Sequence, residues 1–337
     1  MTSTGLTTEP RRSARPKGRI LDRARGFVVE YAPQLLLVML IVVVALINPV
    51  TLSTANIVNV LINAVPIAVL ALGAMWILIS GGLDLSAGFG VAMCALVIGG
   101  GLQQGIPVPL ALLYGVLAGL ALGLINGILV GVLAMPPFIA TLATMAGVQG
   151  MVLLLGTQGT VIVNADILSF IGGARPMGIP MLVILAVLIA AVVAAVARYT
   201  RFGLYTYGLG SNRDAMVARG VPIVRQTVLV YMFGGLLVAL TAIILVAKVQ
   251  IVDTNISNIS LLLDAFAATI IGGTSLFGGK GTVRGTLTGA LIISLISTNL
   301  VVIGVSAENI DLFKGITIVV AVIIDAGIRF LEKRRAA

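Results

Sequence analysis

The stretch TVLVYMFGGLLVALTAIILVA, Thr227–Ala247, contains no charged residue. At ~1.5 Å per residue, a helix of this length crosses a hydrocarbon layer about 30 Å thick. Apolar runs of the same kind lie at 34–47, 56–79, 83–100, 107–133, 137–155, 180–197, 261–275, 285–305 and 314–330. They predict an all-α membrane protein of about ten transmembrane helices joined by short loops. Whole-chain composition agrees: of 337 residues, 59% are apolar and 10% charged, with a mean hydropathy of +1.16. A soluble domain needs about a quarter of its residues charged to keep its surface in water. No length is left for a soluble catalytic domain. The run 107–133 exceeds one perpendicular crossing and predicts a tilt or a break, while 34–47 and 261–275 are short and predict extension into their flanks.

The net charge of +9 raises the question of nucleic acid, and the placement of the charges answers it. Basic residues cluster in four segments beside the spans. Arg11, Arg12, Arg15, Lys17, Arg19, Arg23 and Arg25 precede the first span, and Arg198, Arg201, Arg213, Arg219 and Arg225 occupy the 198–226 loop. Lys280 and Arg284 lie between the eighth and ninth spans, and Arg329, Lys333, Arg334 and Arg335 at the end. With ten spans all four segments fall on one face, and only Arg175, Lys248 and Lys314 fall on the other. Positive loops stay inside, so both termini are expected in the cytoplasm and the partner of the charge is the lipid bilayer, not nucleic acid. The organisation expected is a basic cytoplasmic tail over 1–30, a transmembrane domain over 31–330 with the cytoplasmic loop 198–226, and a tail over 331–337. The N-terminal tail has no apolar core near its start, so it does not read as a cleavable signal, and Arg11-Arg12 lacks the apolar context of a twin-Arg signal.

The chain has no His and a single Cys, Cys94, inside an apolar run. That excludes a disulfide framework, a Cys/His metal cluster and His-based acid–base catalysis. No catalytic residue, cofactor or metal site is indicated.

Inside the membrane, Gly115, Gly119, Gly123, Gly127 and Gly131 recur every four residues along one helix stripe, which lets two backbones approach closely. Asn126 beside the stripe either hydrogen-bonds across a helix pair or lines a polar path. Gly81-Gly82-Leu83-Asp84-Leu85-Ser86 interrupts an apolar region: the glycines weaken a helix, and Asp84 with Ser86 either caps a restarted one or belongs to a solute path. Asp264 and Asp325 are further acids in apolar runs without a partner nearby in sequence. The segment Gly272–Thr282 resembles a phosphate loop but fails its spacing, because Thr274 stands five positions before Gly279-Lys280 and Gly281 follows the lysine. The same spacing Gly-Gly-x-x-Leu-x-x-Gly-x-Gly occurs at Gly81–Gly90 and at Gly272–Gly281, a candidate internal repeat. In the 198–226 loop, Gly210 to Pro222 reads as a short helix capped by Asn212 and ended by Gly220, suited either to a groove in another protein or to a lipid-facing connection.

Three of these segments, Gly81–Gly88, Gly208–Val221 and Leu263–Leu276 continuing to Gly278–Thr282 and Gly285-Thr286, with Phe138–Leu142 as a weaker fourth, carry a likeness. The sequence resembles the membrane-spanning permease subunits of ATP-binding-cassette importers for ribose and related simple sugars, from about residue 35 to 330. The resemblance implies a multi-pass protein of the bacterial plasma (inner) membrane that pairs with a second permease subunit. It also implies cytoplasmic ATPase subunits as partners and an extracytoplasmic solute-binding protein that delivers the solute. Gly210, Asn212, Ala215 and Gly220 match the coupling-loop pattern that engages the ATPase in such importers, with Asp214 where a second alanine is usual and Arg219 where a small residue is usual. Asp84, Ser86, Asn126 and Asp264 are the candidates for a substrate path or a helix cap. The alternative is an ATP-independent secondary transporter or channel, which calls for ionisable residues converging at mid-membrane. A membrane-embedded enzyme is a third reading, for which no nucleophile–base pair is visible.

Overall fold

The computed structural model describes residues 18–306 together with 309, 310, 312, 314–316 and 319. In chain order the helices are α1 (Gly18–Ile47), α2 (Thr54–Ile79), α3 (Ala87–Gln103), α4 (Val108–Gly127), α5 (Pro137–Leu155), α6 (Asp166–Gly173), α7 (Met181–Tyr199), α8 (Arg201–Ser211), α9 (Arg213–Ala218), α10 (Ile223–Val249), α11 (Ile259–Ile271) and α12 (Val283–Val302). Sheet among the described residues is one pair of two-residue strands, β1 (Val161–Ile162) antiparallel to β2 (Ile251–Val252). Among the described residues, six helices are long and apolar enough to cross a membrane: α2, α4 with its continuation to Val132, α5, α7, α10 and α12. The apolar part of α1, α3 and α11 are shorter. The architecture is that of an all-helical, multi-pass membrane protein.

Local chemistry sets the helix ends. Ser53, Asn258 and Thr282 accept hydrogen bonds from the backbone N–H of Asn56, Ser260 and Gly285, capping α2, α11 and α12 at their starts. At the other end, Gly81 (φ +83°) and Gly273 (φ +84°) take the left-handed conformation that closes a helix. The N–H groups of Gly82 and Thr274 then reach back to the carbonyls of Ile77 and Thr269.

The bundle is organised around α2, which is buried over most of its length and packs on α7, α10, α11 and α12. The glycine stripe of α4 seats that helix on α10. A Cβ added to Gly119 would stand 2.5 Å from the Gly235 carbonyl oxygen, and one added to Gly127 would stand 2.8 Å from the Val228 Cα. Gly123 faces Tyr231 and Met232, Gly131 faces Thr227, and Gly115 faces Ile98 of α3. A second close approach, which the sequence reading did not single out, joins α11 to α12, where Gly285 meets Gly272 and Gly289 meets Ala268.

Several boundaries differ from expectation, each for a local reason. The run 83–100 begins as helix only at Ala87, because the backbone from Ser80 to Ser86 is turned away from helix by Gly81-Gly82. The long run 107–133 breaks: after Gly127 it widens into a π turn over Ile128–Val132. The run 261–275 extends at its start to Ile259 but stops at Ile271, ended by Gly272-Gly273. At ~1.5 Å per residue, α11 is shorter than a ~30 Å hydrocarbon layer. Helix α1 runs from Gly18 to Ile47, through residue 30. Residues 1–17, the tail 331–337 and most of the run 314–330, including Asp325, lie outside the described residues.

The strand pair holds the α5–α7 and α10–α11 connections together on one face. On the opposite face, the Gly279 N–H donates to the Ile79 carbonyl (2.8 Å), and the Tyr207 hydroxyl to the Gly281 carbonyl (2.8 Å). The α2–α3, α7–α10 and α11–α12 connections therefore meet there.

Candidate functional site

The break after α2 places a carboxylate inside the bundle. Asp84 is buried, and its Oδ1 accepts from the Ser86 N–H (2.9 Å), the Ser86 hydroxyl (2.6 Å) and the Asn126 amide (3.3 Å). Asn126 also donates to the Ser86 hydroxyl (2.8 Å) and accepts from the Thr144 hydroxyl (2.7 Å). One network therefore joins the start of α3 to α4 and α5, and Asp84 both caps the turn before α3 and anchors the polar cluster. Tyr231 of α10 holds the break from the other side, its hydroxyl donating to the Leu83 carbonyl (3.1 Å). All three donors to the Oδ1 atom of Asp84 are neutral groups. A cavity of about 10 Å³, room for one water, adjoins Asp84 between α2 and α10.

Asp264 takes no part in this cluster. Its Oδ2 pairs with the Lys314 ammonium at 2.9 Å, tying α11 to the helical residues 314–316. Lys248 of α10 donates to Asn63 of α2 (2.8 Å), whose amide donates to Thr298 of α12 (3.2 Å). Thr144, Tyr231 and this lysine-centred chain were not singled out from sequence. Thr144 lies two positions beyond the Phe138–Leu142 segment, which was the available signal.

The 198–226 loop forms two helices. Thr200 caps α8, and Gln226 pins it by donating to the Phe202 carbonyl and the Thr206 hydroxyl, both at 2.9 Å. Phe202 stacks with Trp76 of α2 (5.3 Å between ring centroids) and meets Phe233 of α10 edge-on (5.8 Å), while Trp76 and Phe233 lie 5.0 Å apart. Burial raises the Tyr207 phenol above its ordinary pKa, so it stays protonated as the donor to Gly281.

The Asn212 side chain accepts from the Ala215 N–H (2.9 Å) and caps α9. Gly220 (φ +73°) ends it, with the Val221 N–H reaching back to the Met216 carbonyl (3.1 Å). Met216 is buried against Gly208, and the other residues of α9 are exposed, Ala215 among them. Gly210 faces inward: a Cβ there would collide with the Ile79 carbonyl and the Gly279 N–H. Of the four residues grouped by the coupling-loop pattern, Gly210 seats the loop on α2, Asn212 caps, and Ala215 and Gly220 stand on the outer surface. The Gly272–Thr282 segment packs under this loop, with the Gly279 N–H already committed to Ile79 and the Ser275 N–H to the Lys280 carbonyl (2.9 Å).

Residues 56–322 match the family model described as branched-chain amino acid transport system / permease component. The ribose import permease protein of Bacillus subtilis is 35% identical over 89% of this chain and 94% of its own length. That of Escherichia coli (strain K12) is 31% identical over 89% and 95%. The galactofuranose transporter permease protein of the same strain is 31% identical over 80% and 79%. No solved structure matches the chain.

Proposed function

Because this chain belongs to the family described as branched-chain amino acid transport system / permease component, we propose that it forms the translocation path for a simple sugar or sugar-like solute in an ATP-driven importer. Its similarity to ribose and galactofuranose permeases over most of its length supports the solute class. The observation that carries the mechanism is α9, a capped helix presented to the surface from a loop whose inner side is fastened to the end of α2. A cytoplasmic ATPase that grips α9 moves α8, and α8 moves the central helix through Phe202 and Gly210. ATP hydrolysis belongs to that separate subunit.

The full arrangement we infer has ten spans with both termini in the cytoplasm of a bacterial inner membrane. A second permease subunit stands beside this one, and an extracytoplasmic solute-binding protein docks on the face that carries the strand pair. The 31–330 segment is then the permease domain, with 198–226 as its coupling loop. The glycines Gly81 and Gly273, which close α2 and α11 at nearly the same φ, are consistent with a duplicated origin of the halves, although the shared spacing aligns Gly81 with Gly272. The deciding measurement is solute uptake into proteoliposomes holding this chain, its ATPase and its binding protein. D-ribose uptake that needs ATP inside is expected, and uptake driven by an ion gradient without the ATPase would replace the importer with a secondary transporter.

Two results are expected along the way. With Cys94→Ala as background, single cysteines at the exposed positions Ser211 and Arg175 react with a membrane-impermeant thiol reagent from opposite faces of the membrane. Labelling of both from outside intact cells would overturn the ten-span topology. The purified chain alone hydrolyses no ATP, and Lys280→Ala leaves the nucleotide affinity of the assembled complex within about twofold, since the glycine segment beside it lacks phosphate-loop spacing. Specific ATP binding lost on that substitution would assign the segment a nucleotide role.

A further inference from the structure

Among the long spans, α5 and α7 have the least of their surface covered by the rest of the chain. On α7 the uncovered side is apolar up to Arg198 near its end, with Val187, Leu188 and Val192 exposed, as lipid requires. On α5 it is not. Gln149 is exposed there and forms no hydrogen bond with any described residue. It lies about 18 Å along the helix from Pro137 and about 9 Å short of Leu155, within the depth of the hydrocarbon layer. A primary amide brings two donors and an acceptor, and lipid tails satisfy none of them. Uncharged polar side chains at this depth face protein or a water-filled cavity. Ala146 and Gly150 neighbour Gln149 on that uncovered side, and no atom lies within 4 Å of where a Cβ on Gly150 would stand.

We propose that Gln149 lines the solute path, its amide exchanging hydrogen bonds with the hydroxyl groups of a sugar-like solute as it passes along α5 beside the second permease subunit. This rests on the importer reading above. The chemistry fits: a hydroxyl both donates and accepts, and so does an amide. A neutral contact is also weak enough to release the solute, which conduction requires. The missing side chain at Gly150 and the small Ala146 leave width for a ring beside the amide.

The test uses the complete complex in proteoliposomes on the Cys94→Ala background, with cysteine at Gln149 and, as a lipid-facing control, at Leu188. A charged, membrane-impermeant methanethiosulfonate is expected to modify Gln149→Cys about tenfold or more faster than Leu188→Cys, at a rate that changes when ATP is added. Reaction only with a lipophilic maleimide would place residue 149 in lipid and overturn the proposal. Spontaneous disulfide formation between two copies without reagent access would mean a dry contact and overturn it equally. Access is read with no solute present, so a different solute class leaves this result standing, and an unreactive Gln149→Cys variant leaves the importer reading standing. Where the unsubstituted complex imports D-ribose, Gln149→Leu is expected to cut uptake about tenfold and Gln149→Asn to restore part of it, at equal membrane abundance. Full uptake by Gln149→Leu would remove the hydrogen-bonding role.

Discussion

Gly119→Leu is expected to abolish the folded protein: membrane abundance falls by more than about tenfold, and what remains loses its cooperative thermal transition. The position has no slack, because even a Cβ would stand 2.5 Å from the Gly235 carbonyl oxygen and 2.8 Å from the Ala239 Cβ. Lipid tails give two helices no hydrophobic reason to associate, so close packing and polar contacts are what hold α4 on α10. Forcing the two backbones apart forfeits contacts along the whole seam, from Gly119 through Gly123 and Gly127 to Gly131. Overpacking of this kind costs about 1–3 kcal/mol in a soluble core, and more where the obstruction is backbone. Gly100→Ala in α3 is the matched control, since nothing stands within 4 Å of its Cβ position. It is expected to keep or slightly raise stability, as a helical glycine-to-alanine change does. Equal thermal midpoints for the two variants in detergent would show that the stripe does not hold the bundle.

Ala215→Glu is expected to leave abundance and stability unchanged and to stop transport. Ala215 is exposed on α9 and packs against nothing inside the chain, so the fold has no reason to respond. If α9 sits in a groove of the ATPase, the new carboxylate is buried there without a counter-charge, at a cost of about 3–5 kcal/mol. Co-purification of the ATPase is then lost. A helix lying at the lipid headgroups tolerates one acid within about 1 kcal/mol. Normal abundance with full ATPase recovery and full uptake would sink the coupling assignment. Gly210→Ala is no substitute for this test, because it strikes the joint between the loop and α2 and would damage the fold itself.

Most of the bundle was legible in the sequence because lipid imposes a one-dimensional rule: each described span is a run of apolar residues, and runs can be read without knowing contacts. The ends of α2 and α11 were announced by paired glycines, although the reading carried α11 four residues past Ile271 on hydropathy alone. The candidate site was legible only as separate residues. Asp84, Ser86 and Asn126 stood out as polar groups in apolar surroundings, but their joining with Thr144 depends on how α3, α4 and α5 pack, and no local pattern encodes that. The pairing of Asp264 with Lys314 spans fifty positions. The sequence placed Gly210 in the 198–226 loop, but its close approach to the backbone of Ile79 and Gly279, two segments remote in sequence, is set by packing that no local pattern encodes.

The aromatic contact of Trp76 with Phe202 and Phe233 has a spectroscopic consequence. Trp76 is the chain's single tryptophan, fully buried at the joint where α8 meets α2 and α10. Tryptophan emission of the isolated chain, excited at the red edge where its tyrosines absorb little, therefore comes from one site, in an apolar setting that gives blue-shifted emission. A displacement of the cytoplasmic loop that parts Phe202 from the indole, or admits water beside it, changes that emission directly, without any attached label.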